Sequence, residues 1–169
     1  NLLTVRQLAV AARWSRDELV IERLSLLPGD IEGELDVRGR ITPAGKLVHG
    51  DIDARWKDVV IPESLAGMTL ASAGELHARG TPEKYEAKGE FDIGPPGDPT
   101  HAVLDVSGTD TRAKLHAVEL VQRAGRLALR GGVAFEPLAW NLEAQAREFD
   151  PGAFLAGWGG SVNLDLTTE

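Results

Sequence analysis

The sequence predicts an all-β protein, and three observations predict it. Apolar and polar residues alternate with a period of two through most of the chain, which is the spacing of a strand with one dry and one wet face. Turn-forming clusters recur between these stretches at hairpin spacing. Few stretches show the 3.6-residue periodicity of a helix.

The elements follow in order. Leu8 to Trp14 and a less regular Leu19 to Leu27 read as the first two strands. A short helix over Arg13 to Leu19 is the competing reading there, and the flanking period-two stretches favour strands. Ile31, Gly33, Leu35, Val37, Gly39 and Ile41 then share one parity against Glu32, Glu34, Asp36, Arg38 and Arg40. Val48, Gly50, Ile52, Ala54 and Trp56 oppose His49, Asp51, Asp53, Arg55 and Lys57. Leu70, Ser72, Gly74, Leu76 and Ala78 oppose Glu75, His77 and Arg79, and Tyr85, Ala87, Gly89, Phe91 and Ile93 oppose Glu86, Lys88, Glu90 and Asp92.

The second half continues with Leu104 and Val106, then with Ala113, Leu115 and Ala117 against Arg112, Lys114 and His116. Leu127, Leu129, Gly131, Val133 and Phe135 follow, then Trp140, Leu142, Ala144 and Ala146, and last Val162, Leu164 and Leu166. This makes roughly eleven strands. Between them lie Pro28-Gly29-Asp30, Thr42-Pro43-Ala44-Gly45, Gly80-Thr81-Pro82, the run from Gly94 to Pro99, and Arg123-Ala124-Gly125. Pro62 to Gly67 and Asp150 to Gly157 fit strands less well. In the second, Asp150 before Pro151 supplies an N-cap and a first helical position, so a single helical turn is expected near 150–156.

Strands that are apolar on one face cannot stand as an open flat sheet without exposing more apolar surface than a soluble monomer tolerates. The sheet is therefore expected to fold over itself, as a sandwich, a barrel or a trough. The many glycines on the inner parity suggest room for a groove, or relief of twist.

Composition narrows the function classes. The 169 residues form a single unit, residues 1–169, with 43% hydrophobic and 26% charged side chains, the balance of a folded domain. Eighteen Lys and Arg against 26 Asp and Glu give a net charge of −8, which disfavours nucleic acid as a partner. With 0 Cys there is no disulfide, Cys-ligated metal or thiol chemistry. The chain opens on Asn1, carries its single Met at Met68 and ends within an alternating pattern, which is expected of a segment of a longer polypeptide.

Catalytic signatures are missing. His49, His77, His101 and His116 are scattered along the chain, and the carboxylates alternate with Lys and Arg as solvated ion pairs do. No Gly-rich phosphate loop and no nucleophile elbow occurs. The expectation is no enzyme, no metal and no cofactor.

One stretch is more specific. The run Gly132-Val133-Ala134-Phe135-Glu136-Pro137-Leu138-Ala139-Trp140-Asn141-Leu142-Glu143-Ala144 leads into Phe149-Asp150-Pro151-Gly152-Ala153-Phe154-Leu155-Ala156-Gly157-Trp158-Gly159-Gly160-Ser161-Val162. It resembles the repeating unit of the TamB family, the translocation and assembly module subunit, in which a Trp-bearing strand enters an Asp-Pro turn and a Trp-Gly element opens the next strand. The resemblance covers Gly132 to Leu166. It implies a long antiparallel sheet folded over itself into a hydrophobic trough, the β-taco of AsmA-like and bridge-like lipid-transfer proteins. It also implies a periplasmic segment of an inner-membrane-anchored protein of a Gram-negative bacterium. The partners so implied are phospholipid acyl chains, an outer-membrane Omp85-type protein (TamA-like) reached through another part of the parent, and unfolded outer-membrane protein strands.

On this reading the groove lining is Leu35, Val37, Ile52, Trp56, Leu76, Phe91, Leu104, Leu115, Leu129, Val133, Trp140, Leu142, Val162 and Leu164. Each position reads equally as a packed core side chain. The competing function is a closed β-barrel or sandwich that binds a ligand or acts as a spacer. The lining hypothesis requires Asp36, Arg38 and Arg130 to face away from it, because a one-residue slip in register would turn the whole set outward.

Overall fold

A computed structural model describes residues 5–28, 31–155 and 157–168 of the chain. The turn expected at Gly29-Asp30 and the Ala156 position of the helical turn lie outside the described residues. The fold is all-β, with eleven antiparallel strands in one sheet. Their order in the sheet is their order in the chain, so each strand pairs with its sequence neighbours.

The strands are β1 (Val5–Trp14), β2 (Leu19–Pro28), β3 (Glu32–Ala44) and β4 (Leu47–Ile61). After a four-residue helical turn, α1 (Glu63–Ala66), come β5 (Leu70–Thr81), β6 (Lys84–Gly94), β7 (Thr100–Gly108) and β8 (Arg112–Val121). The set closes with β9 (Arg126–Phe135), β10 (Leu138–Phe149) and β11 (Val162–Thr167). Pro62 to Gly67 becomes α1 because Gly67, at φ +77°, takes the left-handed cap that ends it. The helical turn expected after Asp150 is a 3-10 turn over Pro151–Ala153. Residues 13–19 form a strand end and a turn, not a helix.

Register turns alternation into two chemically distinct faces. Val37, Ala54, Leu76, Gly89, Leu104, Val118, Leu129, Ala144 and Leu166 stand opposite one another in sequence across β3 to β11, one apolar row perpendicular to the strands. A parallel row runs from Leu35 through Trp56, Gly74, Phe91, Ala102, Leu120, Leu127 and Ala146 to Leu164. The other face carries Arg38 opposite Asp53, His77 opposite Lys88, and Arg130 opposite Glu143.

Bulges shift parity in places, and one of them corrects the sequence assignment. Between Leu115 and Val118 the ladder slips, so Ala117 stands opposite Asp105 on the charged face. Val118 takes the apolar position between Leu104 and Leu129 that strict alternation gave to Ala117. An extra residue in one strand reverses the face of all that follows.

The sheet is open and uncurled, and the fold-over into a trough is not seen among the described residues. Among the described residues each strand pairs only with its sequence neighbours, so β1 and β11 sit at opposite ends of a ladder on the order of 50 Å long. The buried set among the described residues is correspondingly small: Leu70, Gly94, Thr100, Ala102, Gly125, Ala144, Ala146 and Phe149. The accessible surface is 11455 Å². A compact monomer of this mass exposes about 8,000 Å².

Candidate functional site

The structure places every expected lining residue on the same face. Leu35, Trp56, Phe91 and Leu164 lie in one cross-sheet row, and Val37, Leu76, Leu104 and Leu129 in the next. Ile52, Leu115 and Leu142 share a third row, and Val133 stands opposite Trp140 in a fourth. Val162 pairs with Phe149 at the far end of β11. Most of these side chains are half-buried by their neighbours within the sheet, while Trp140, Val162 and Leu164 are 52%, 38% and 39% exposed.

Asp36, Arg38 and Arg130 lie on the opposite face, in register with Arg55, Asp53 and Glu143. That face is a lattice of cross-strand ion pairs. Arg23 Nε meets Asp36 Oδ1 at 2.9 Å, Arg79 meets Glu86 at 2.7 Å, Lys88 meets Asp105 at 2.8 Å and Arg147 meets Asp165 at 2.7 Å. The hydrogen bond from Arg79, followed by its charge, holds the Glu86 carboxyl below the ordinary glutamate range. Exposed pairs of this kind contribute little stability each. Their effect is to keep one side of the sheet in water.

Glycines on the apolar face do less to open a groove than their size suggests. A methyl group on Gly74 would collide with Phe91 and its backbone, and one on Gly89 would lie 2.8 Å from Leu76 Cδ1. One on Gly108 would lie 2.6 Å from the Tyr85 hydroxyl. Each of these glycines receives a large side chain from the strand beside it, so large and small residues interlock along the rows. Trp56 and Phe91 meet with ring centroids 5.7 Å apart. The indole Nε1 of Trp56 donates to Ser72 Oγ at 2.8 Å, and Ser72 in turn donates to the Asp92 carbonyl at 2.9 Å. The polar edge of an otherwise apolar ring is thereby satisfied.

Two hollows interrupt the sheet surface at the end where β3–β4, β5–β6, β7–β8 and β9–β10 turn. One, of about 390 Å³, is lined by Ile41, Val48, Gly50, Ile52, Ala78 and Ala87 among others. The second, of about 980 Å³, lies over β6 to β10 on the charged face, where Lys84, Arg112, Lys114 and Arg130 line it with Ala134, Ala139 and Asn141.

The four histidines are not brought together. His77 Nδ1 sits 2.9 Å from Asp53 Oδ1, with Asp51 on the far side of the ring, and His101 sits likewise between Asp92 and Glu90. Asp51, Asp53 and His77 have one ligand-type atom each within 4.8 Å of the others. They are solvent-facing members of the ion-pair lattice, which accounts for their arrangement.

Sequence reasoning missed Val118 and Leu120 as members of the apolar face. The signal was available in Val118-Glu119-Leu120, where alternation resumes on the shifted parity. It also missed Gln122, which brackets the end of β10: its Nε2 donates to the Asp150 carbonyl and its Oε1 accepts from the Asp150 N–H, each at 2.8 Å. Nothing local marks a contact between residues so far apart in the chain. No protein-family model, curated protein or solved structure matches this chain.

Proposed function

We propose that this chain is a non-catalytic conduit segment whose apolar face carries phospholipid acyl chains between two membranes, as in the TamB-like reading of its C-terminal third. The observation that supports it is an apolar face that runs from β3 to β11, left uncovered among the described residues while the charges occupy the other side. The surface exceeds that of a compact monomer by about 3,000 Å², and the largest apolar patch on an ordinary monomer is roughly 300–600 Å². Each acyl methylene fully withdrawn from water gains about 0.8 kcal/mol, and an open face covers a chain on one side only, so a sixteen-carbon chain gains on the order of 5 kcal/mol. Rows run perpendicular to the strands, which gives a chain a continuous track along the long axis of the sheet. In this reading the segment works in the periplasm of a Gram-negative bacterium, and contact with an Omp85-type outer-membrane protein is made elsewhere in the parent.

The test is a photo-crosslinking amino acid at Leu129 and, separately, at Arg38 on the charged face in the parent protein in cells, with mass spectrometry of the adducts. Phospholipid captured at Leu129 and not at Arg38 is the expected result. Probes that react at both positions without capturing lipid would overturn the proposal in favour of a spacer module.

A second reading draws on the outer edge of β11, which no other strand pairs among the described residues, with the side chains of Val162–Thr167 all exposed. Such an edge accepts an incoming strand by backbone hydrogen bonding, which suits assistance to unfolded outer-membrane protein strands. The same probe at Asn163 would then capture a polypeptide.

A further inference from the structure

The larger hollow has a charge problem that the ion-pair lattice does not solve. In a chain of net charge −8, Arg23, Arg79, Lys88 and Arg147 each reach a carboxylate across the sheet. Lys84, Arg112, Lys114 and Arg130 all line the hollow of about 980 Å³, and none of them has a carboxylate oxygen within 4.0 Å among the described residues. Two acids share the lining, Glu83 and Glu86, and Glu86 is engaged by Arg79. Glu143 is the register partner of Arg130 without forming an ion pair with it.

The floor explains why the cations have space. Arg112 stands opposite Ala134, which stands opposite Ala139, while Lys114 stands opposite Gly132, which stands opposite Asn141. Four consecutive neighbours of the two cations are therefore small or amidic, so a depression remains between strands that elsewhere fill it with long side chains. A methyl group on Gly132 would come within 2.9 Å of Asn141 Oδ1, which places the carboxamide over the glycine. On the other side, Ser107 Oγ and His116 Nε2 lie 2.7 Å apart at the same rim.

We infer that this hollow binds a phosphate group through Arg112, Lys114 and Arg130, with the Asn141 amide as a neutral donor. Two guanidinium forks and an ammonium suit an oxyanion that presents several acceptors, and a hollow of this volume accepts a group larger than phosphate alone. The phosphate can be free or belong to a phospholipid headgroup. The inference stands on charge and shape at the turn end of β6 to β10, independently of the acyl-chain reading of the apolar face.

The test compares the wild-type chain with Arg112→Gln/Lys114→Gln/Arg130→Gln, and with a control of equal charge loss, Arg16→Gln/Arg38→Gln/Arg126→Gln, at cations outside the hollow that have no carboxylate oxygen within 4.0 Å among the described residues. Binding is measured by flotation with vesicles of phosphatidylglycerol in phosphatidylcholine against phosphatidylcholine alone, and by amide NMR shifts with inorganic phosphate. The expected result is a loss of about tenfold or more in the hollow variant and little change in the control. Response to the vesicles alone identifies a headgroup site, and response to inorganic phosphate with local shifts at Gly132 and Asn141 identifies a soluble-anion site. Equal losses in the two variants, or no response to either probe, would overturn the inference. Lipid capture at Leu129 in the same proteins separates that failure from failure of the conduit proposal.

Discussion

Glu86 shows what a single exposed ion pair does and does not do. Its carboxyl is held below the ordinary range first by the hydrogen bond from Arg79 and then by the charge of that group. A depressed folded-state value means that the stabilisation is complete above the unfolded glutamate value and is lost as pH falls through the folded one. The pair is fully exposed, so the consequence is a titration signature and not a stability difference of note. A carboxyl NMR titration should place Glu86 below the chain's unpaired glutamates, and Arg79→Gln should return it to the ordinary range. Thr100 is the contrasting case, 1% exposed with its hydroxyl lacking a hydrogen-bond partner among the described residues. Replacing a buried unsatisfied hydroxyl by a methyl group removes a desolvation cost of about 1–3 kcal/mol. Thr100→Val should therefore leave the thermal midpoint unchanged or raise it, and a clear fall would show that the hydroxyl is engaged.

Within and between strands, the interlocking of large with small residues sets the tolerance to change. A side chain at Gly89 would meet the Glu75 carbonyl and Leu76 Cδ1, both at 2.8 Å. Gly89→Val should then destabilise the sheet by about 1–3 kcal/mol in denaturant unfolding, despite the strand preference of valine. At the other end of the molecule, Asp150 Oδ1 accepts from Gly152 N–H at 2.8 Å and from Gly160 N–H at 3.0 Å, so one carboxylate ties the 3-10 turn to the approach of β11. Asp150→Ala should cost about 1 kcal/mol and speed amide exchange in β11 ahead of the rest of the sheet. Uniform exchange across all strands would show that β11 is not the separately held element this geometry describes.

For the molecule as a whole, the open apolar face predicts a response opposite to that of a filled core. A charge placed in a packed interior costs several kcal/mol and unfolds the domain. At Leu129 of an uncovered face, Leu129→Asp should keep the strand signal in circular dichroism while reducing displacement of a fluorescent fatty acid by about tenfold or more. Loss of the fold in that variant would instead indicate that another layer covers the face.

Much of this organisation could be read from residue order. Alternation such as Tyr85-Glu86-Ala87-Lys88-Gly89 assigns each side chain to a face without knowledge of its partners, because the pleat itself has period two. That is why the expected lining residues emerged together on one side, and why Asp150-Pro151 announced a turn from local capping chemistry. Three things depended on contacts distant in sequence. Bulges such as the one between Leu115 and Val118 form where two strands disagree in length, and that disagreement is a property of the pair. The unpaired cations at Arg112, Lys114 and Arg130 become a cluster only when β8 and β9 lie side by side over a floor of small residues. Whether the sheet curls is decided by contacts between strands far apart in the ladder, and among the described residues the strands pair only with their sequence neighbours.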